Sequence, residues 1–424
     1  MRSASSAARA LLGVSLALGS PAALAAGGDQ PVIELPEDEG PAGRFAVRSD
    51  PLTLVDERVA SITHSVVLGG YGEYQFFAPE GEDSFFQHQR YILFVYSRIS
   101  DRISTATEVE FEFGGTPRKA DGALTTGEVL LEYSVVDFRL ADWLTLRTGI
   151  VLMPFAFNLR HDSPTRDLTE RPLAMTTLVP TTWFEIGAGL VGGFELGDHR
   201  LHYETYVVNG LDARINDGLA LRGARGSLGE DNNNDKAVVG RLSWSPALGK
   251  ELGLVGYTGE YNRSGGRVNL LAVDTTLRFG RLELLFEGAT AFIDPGFVEG
   301  FSAASPANTR KPVPERMSGY YAQANYHVPV GWPRSDESHL TFVLRYEELD
   351  SDQAAENEND VSRVTFGLNY RPVEAYVIKT DLQAQTLGPR GLLWAAQGDL
   401  DEDEGWWFSE RPELTFATSV AMMF

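Results

Sequence analysis

The last fourteen residues, 411–424, limit the fold more than any other stretch. Leu414, Phe416, Thr418, Val420, Met422 and Phe424 share one parity, while Glu413, Thr415, Ala417, Ser419, Ala421 and Met423 share the other. Period 2 marks a strand with two unlike faces. The more apolar face runs up to an aromatic at the carboxylate. Chain ends usually fray. A strand that closes a barrel in lipid must stay paired to its end, because an open edge there leaves backbone groups unsatisfied. The pattern therefore predicts the closing strand of a membrane barrel, with Phe424 at the closure. Its rival is a buried last strand of a soluble sheet.

From Thr63 onward the same alternation recurs in sixteen segments: 63–77, 87–99, 102–114, 127–140, 143–154, 183–197, 199–211, 236–246, 250–264, 267–280, 281–294, 316–330, 338–350, 361–372, 374–387 and 411–424. Short turns such as Ser100-Asp101, Ala141-Asp142 and Gly197-Asp198 alternate with long stretches at 78–86, 115–126, 155–182, 212–235, 295–315, 351–360 and 388–410. Two connections break the rule: 265–266 is short and 331–337 is long. Long loops at one end and tight hairpins at the other are the layout of an outer-membrane barrel, with the short turns in the periplasm. The fold class expected is all-β, a 16-stranded antiparallel transmembrane barrel.

Several segments assign their own faces. Phe342 and Leu344 oppose Arg345 and Glu347; Phe366 and Leu368 oppose Arg363 and Thr365; Ile378 and Leu382 oppose Lys379 and Asp381. Segments 87–99 and 127–140 are apolar on both parities, so their faces stay open. Aromatics gather at strand ends in two belts: Phe76, Phe77, Trp183 and Trp406-Trp407-Phe408 toward the long loops, with Trp143, Trp244, Trp332, Tyr376 and Phe424 toward the turns. Rings of this kind suit the two membrane interfaces. Sixteen strands enclose an aqueous channel rather than a filled core.

Composition is consistent with this. Hydrophobic residues make up 43%, and no run of about 20 apolar residues lies beyond the N-terminus. There is no cysteine, which removes disulfides and thiolate metal sites. A net charge of −23 argues against a nucleic-acid partner. Arg2 and Arg9, the apolar stretch 10–18 and the small residues up to Ala25-Ala26 have the pattern of a cleaved signal peptide over 1–26. Residues 27–62 are expected to be a flexible periplasmic segment. Leu52, Val55, Val59 and Ile62 in it have helical spacing.

The connection 155–182 is unlike the other long loops. It mixes Phe155, Phe157, Leu168 and Met175 with Arg160, His161, Asp162, Arg166, Asp167, Glu170 and Arg171. So apolar a loop must pack, and in a wide barrel the inside wall is available. We expect it to fold inward as a constriction; the alternative is a surface lid or a latch between subunits. Basic candidates for the pore wall are Arg90, Arg147, Arg241, Arg278, Arg345, Arg363 and Lys379. Acidic ones are Glu108, Glu110, Glu112, Asp274, Glu283, Glu287, Glu347 and Asp381. Charge rings set ion preference, but both signs are present, and any single arginine is also explained by pairing with a nearby carboxylate.

The run 231–235 resembles the first half of a calcium loop, yet Lys236 stands where the glycine belongs and Leu242 where the glutamate belongs. The acidic run 399–404 reads as solvated loop. No catalytic constellation, phosphate loop or metal-ligand spacing stands out, so neither enzyme activity nor a cofactor is expected.

The chain resembles the phosphate-selective porin O/P family of Gram-negative bacteria over most of residues 63–424. The likeness is carried by Arg171-Pro172-Leu173, Pro180-Thr181-Thr182-Trp183-Phe184-Glu185-Ile186-Gly187, Tyr206-Val207-Val208-Asn209-Gly210, Gly240-Arg241-Leu242-Ser243-Trp244-Ser245-Pro246, Arg345-Tyr346 and Gly367-Leu368-Asn369-Tyr370-Arg371-Pro372, in that order. It implies a homotrimeric porin among outer-membrane lipid and lipopolysaccharide, passing small solutes or ions. Named members use arginine and lysine in the bore to pass phosphate or related anions. This chain departs from them: only 5 of its 36 basic residues are lysine, and its lumen candidates include many carboxylates. A second functional reading is a barrel serving structure or surface recognition through its acidic loops.

Overall fold

The computed structural model describes residues 65–114, 127–160, 162, 164–180, 182–215, 220–226, 228–231, 233–297, 312–332, 338–354, 360–387 and 413–424. The expected signal peptide, the segment 27–62, Trp406-Trp407-Phe408 and the acidic run 399–404 lie outside them.

Sixteen strands form one sheet: β1 (Ser65–Pro79), β2 (Phe85–Arg98), β3 (Ile103–Glu112), β4 (Glu128–Ala141), β5 (Leu144–Leu152), β6 (Phe184–Leu196), β7 (His199–Val208), β8 (Ala237–Ala247), β9 (Lys250–Glu260), β10 (Arg267–Phe279), β11 (Leu282–Ile293), β12 (Arg316–Pro329), β13 (His339–Asp350), β14 (Val361–Val373), β15 (Tyr376–Leu387) and β16 (Glu413–Met423). Each pairs antiparallel with its sequence neighbours, and β1 pairs with β16 to close the barrel. Closure leaves no free edge, which is what lipid demands of a spanning sheet. The connection expected at 265–266 is longer than predicted: β9 ends at Glu260, and the side chain of Asn262 caps the backbone of Ser264 and Gly266.

Phe424 sits at the seam. It exchanges two backbone bonds with Gly70, each 3.0 Å, and stacks on Tyr91 at 5.4 Å. Truncating Phe424 removes both bonds and the stack, so the resistance of the barrel to heat in detergent should fall; the loss should be about 1–3 kcal/mol. An unshifted melting curve would contradict this role.

The faces follow the expected parity where the sequence assigned one. Phe342, Phe366, Leu382 and Phe416 are exposed on the outer wall, while Arg345, Glu347, Arg363, Thr365, Lys379 and Asp381 are buried inside. The two unassigned segments each contain a β-bulge. Against β1, the register jumps from Arg90 to His88, leaving Gln89 as an extra residue. Against β3, it jumps from Tyr133 to Leu131, leaving Glu132 extra. A bulge reverses which parity faces out. In β4, Val129 and Leu131 are exposed before it, and Val136, Phe138 and Leu140 after it.

Two expectations need correcting. Trp183 and Phe77 are not belt residues. Trp183 is fully buried between Phe155 and Tyr257, and Phe77 faces inward, stacked on Phe85. The lumen is also not uniformly wet. Toward the long loops, the inner faces of β8 to β12 carry Ala237, Val239, Val255, Leu270, Ala291 and Met317, all buried in one apolar cluster. Toward the short turns, the same faces carry Arg241, Asp274, Glu283 and Asn325. The apolar half exists because two loops fill it.

Candidate functional site: a loop pinned inside the barrel

The third long loop leaves β5 at Leu152 and returns at Phe184. Its neck is tied by Asn158, whose amide donates to the Met153 and Trp183 carbonyls (2.9 and 2.7 Å) and accepts from the Trp183 N–H (2.9 Å). Two one-turn helices shape it, α1 (Ala156–Leu159) and α2 (Ala174–Thr177).

Inward-facing wall residues hold this loop at many points along its described length. The Phe157 N–H donates to Glu287 of β11 at 2.9 Å, and Arg160 donates to Thr276 of β10 at 2.8 Å. Arg166 pairs with Glu73 of β1 at 2.7 Å. Asp167 accepts from Gln323 and Asn325 of β12 at 3.2 and 2.8 Å. The Thr169 N–H meets Asp381 of β15 at 2.5 Å. Glu170 takes Arg363 of β14 at 2.5 Å, and its carbonyl takes both terminal nitrogens of Arg345 at 3.2 Å. The Leu173 N–H meets Glu347 of β13 at 2.5 Å. On the return, the Thr182 hydroxyl donates to Glu132 of β4 at 2.5 Å. The loop thus crosses the bore and lies along its far wall.

Glycines make room for it. A Cβ on Gly319 would stand 2.7 Å from the Ala174 Cβ, and one on Gly367 would stand 2.3 Å from Leu168 Cδ2. The apolar side of the loop packs Phe157, Met175, Leu178 and Val179 into the cluster of the upper lumen. The fourth loop, between β7 and β8, also turns inward: Leu211, Ile215, Leu221 and Ala224 join that cluster. Arg222 and Arg225 of this loop donate to the third-loop carbonyls of Thr176 (3.2 Å) and Thr182 (2.8 Å).

The wall candidates are mostly engaged with each other. Arg90 pairs with Glu110 (2.6 Å), Glu112 (3.1 Å) and Glu132 (3.7 Å). Arg147 grips Asp137 with two bonds of 2.7 Å. Arg241 reaches past Gly253 of β9 to hold Asp274 at 2.5 and 2.9 Å, and touches Glu251 at 3.2 Å. Arg345 and Arg363 share Glu347 (3.2 and 2.7 Å), and Lys379 holds Glu73 at 3.1 Å. Glu283 accepts from Asn325 at 3.1 Å, and Arg278 stands exposed beside it at the short-turn end of β10. Glu108 is buried with one oxygen that finds no hydrogen-bond partner. His161 lies outside the described residues.

Burial pushes the Asp167 carboxyl up, against the pull of Arg371. Burial, then the like charges of Arg90 and Arg166, pushes the Arg171 guanidinium down. Its Nη2 has no hydrogen-bond partner.

Glu73, Glu132, Asp137, Arg222, Arg225 and Arg371 were not among the expected site residues. Glu73 was legible as the charged member of the inward triplet Tyr71, Glu73 and Gln75. Glu132 was hidden by its bulge. In the acidic run, Asp231 is paired by Lys236 and Asp235 accepts the Glu260 N–H at 2.8 Å, so both carboxylates serve the loop itself.

The structure is thus a closed sixteen-strand barrel, of a size that encloses a channel, with its third loop folded into the bore. A family model described as phosphate-selective porin O and P matches residues 56–280, more than half of the 424. The chain belongs to the phosphate-selective porin O and P family. The porin is 25% identical over 343 residues to an uncharacterized protein of Aquifex aeolicus (strain VF5), covering 76% of each chain. The anion-selective porin from Comamonas acidovorans superposes with a TM-score of 0.52 at 11% identity, over 85% of this chain and 100% of that one. OmpF of Salmonella typhi, in complex with daunomycin, gives 0.52 at 10% identity, over 86% and 99%. At such identities the likeness to the solved structures is one of fold. The porin is an outer-membrane channel of Gram-negative type, and its family and fold are those of a channel rather than an enzyme.

Proposed function

We propose that the porin passes small hydrophilic and ionic solutes passively, with the third loop as the constriction. The observation that carries this reading is the set of bonds pinning that loop to β1 and to β10 through β15, across the bore from where it starts. The reading includes export with removal of residues 1–26, residence among outer-membrane lipid and lipopolysaccharide, and assembly as a homotrimer, as the family resemblance implies. It involves no catalytic step. Against the family's phosphate preference, Arg345, Arg363 and Lys379 are already held by Glu347, Glu170 and Glu73.

Planar-bilayer recording tests the reading. Purified protein should give discrete conductance steps. Deleting 159–176 should enlarge each step, since it removes the obstruction while keeping Asn158, which ties the loop's neck. Steps of unchanged size would remove the constriction role. Silence at high protein dose would favour a barrel with a structural or surface-recognition role.

A further inference from the structure

On the wall opposite the far-wall anchors, charge of one sign accumulates. Adjacent strands β3 and β4 present Glu108, Glu110, Glu112, Glu128 and Glu132, with Arg90 as the cation bound among them. Glu112 and Glu128 are direct cross-strand partners. Like charges in that relation destabilise a sheet; Arg90 offsets the repulsion from the Glu112 side at 3.1 Å. Asp162 of the third loop adds its charge beside Glu108.

Three arginines on the two inward loops, Arg171, Arg222 and Arg225, lie close enough to this wall to feel its carboxylates through space. One hydrogen-bonded chain fixes the spacing at one edge. Arg225 donates to the Thr182 carbonyl, and the Thr182 hydroxyl donates to Glu132. Away from that edge the two clusters have open surface. Arg222, Arg225 and Glu112 are half-buried, and Glu128 is exposed. Burial, joined for Arg225 by Arg222, pushes both guanidinium groups down, while Glu112 and Glu128 pull them up through space.

We propose that these opposed clusters make the porin selective for zwitterionic solutes, small molecules with an anionic group at one end and an ammonium at the other. The inference rests on the channel reading above. A simple ion is drawn to one cluster and repelled by the other. A molecule with separated charges can lie across the gap and be stabilised by both.

Liposome swelling with 4-aminobutyrate against erythritol, an uncharged solute of similar size, tests it on the purified porin. Wild type should admit the zwitterion faster by about threefold, the scale expected of two partly screened contacts. R222Q/R225Q should bring the ratio near unity and shift the reversal potential in a KCl gradient toward cation preference. R222K/R225K keeps the charge and should keep the ratio. E112Q/E128Q leaves Arg90 paired with Glu110 and Glu132, so the fold should survive; it should also lower the ratio and shift the reversal potential toward anions. Equal rates in wild type, or a ratio that survives both neutralised pairs while conductance steps persist, would overturn the proposal. Absence of steps in wild type would remove the channel reading and this one with it.

Discussion

Glu347→Ala should release the third loop and raise single-channel conductance. Glu347 is fully buried on the inner wall of β13. Its carboxylate accepts from Arg345 (3.2 Å), Arg363 (2.7 Å) and the Leu173 N–H (2.5 Å). Removing it takes one anchor from the loop and leaves two guanidinium groups facing each other without their shared anion. Breaking a buried pair from one side costs about 3–5 kcal/mol, most of it from the charge left behind. The loop should move outward to let water reach the arginines, since the barrel wall cannot. Larger, noisier steps are therefore expected, together with a lower urea midpoint for unfolding from lipid vesicles. Adding Arg345→Met and Arg363→Met to the same chain should restore part of the midpoint, because the stranded charges are gone. Wild-type conductance and midpoint in Glu347→Ala would show that this carboxylate does not hold the loop.

Gly319→Val should reach the same state without touching a charge. The Cβ position of Gly319 lies 2.7 Å from the Ala174 Cβ and 3.0 Å from the Glu348 carbonyl oxygen. Neither neighbour is the end of a flexible side chain, so α2 must lift away from β12. Overpacking of this kind costs about 1–3 kcal/mol. Limited proteolysis should cut within 164–180 in the variant and spare wild type. The contrast with Gly367 is informative, because there the obstacle is a leucine methyl that can rotate away. Gly367→Ala should be far milder. Equal protection of all three proteins would mean that the glycine at 319 is not what seats the loop.

The strands were legible because lipid outside and water inside give each one two unlike faces. Where one face is polar and the other apolar, as in most of β13 to β15, parity alone assigned the side chains named from the sequence; there it breaks only at the register shift near Val373. It failed in β4 because the extra residue Glu132 swaps the parity midway, and in β2 because the run after the bulge at Gln89 is apolar on both faces, with Ile92 buried inside and Leu93 and Val95 exposed outside. The apolar upper lumen was unreadable for a different reason. Val239 faces the loops and Val238 faces outward, and nothing in their chemistry separates them. The third loop was recognisable by its apolar content. The fourth carries Leu211, Ala213 and Ile215 by the same logic, so the argument that placed one loop inward applied equally to the other. The partners of each wall charge were not readable, because they depend on where a loop of some thirty residues comes to rest.

The seam between β1 and β16 joins Tyr71 to Met423 in register. Every other strand pairing is a local hairpin, available as soon as its second strand exists. This one must wait for the far end of the chain and bears the full entropy of shutting so long a ribbon into a ring. Until then the growing sheet presents two bare margins, each a template for mispairing with another copy. Any chain cut short upstream of β16 keeps those margins permanently, so a nonsense mutation even near the end should yield an aggregating or degraded product rather than a weakened channel.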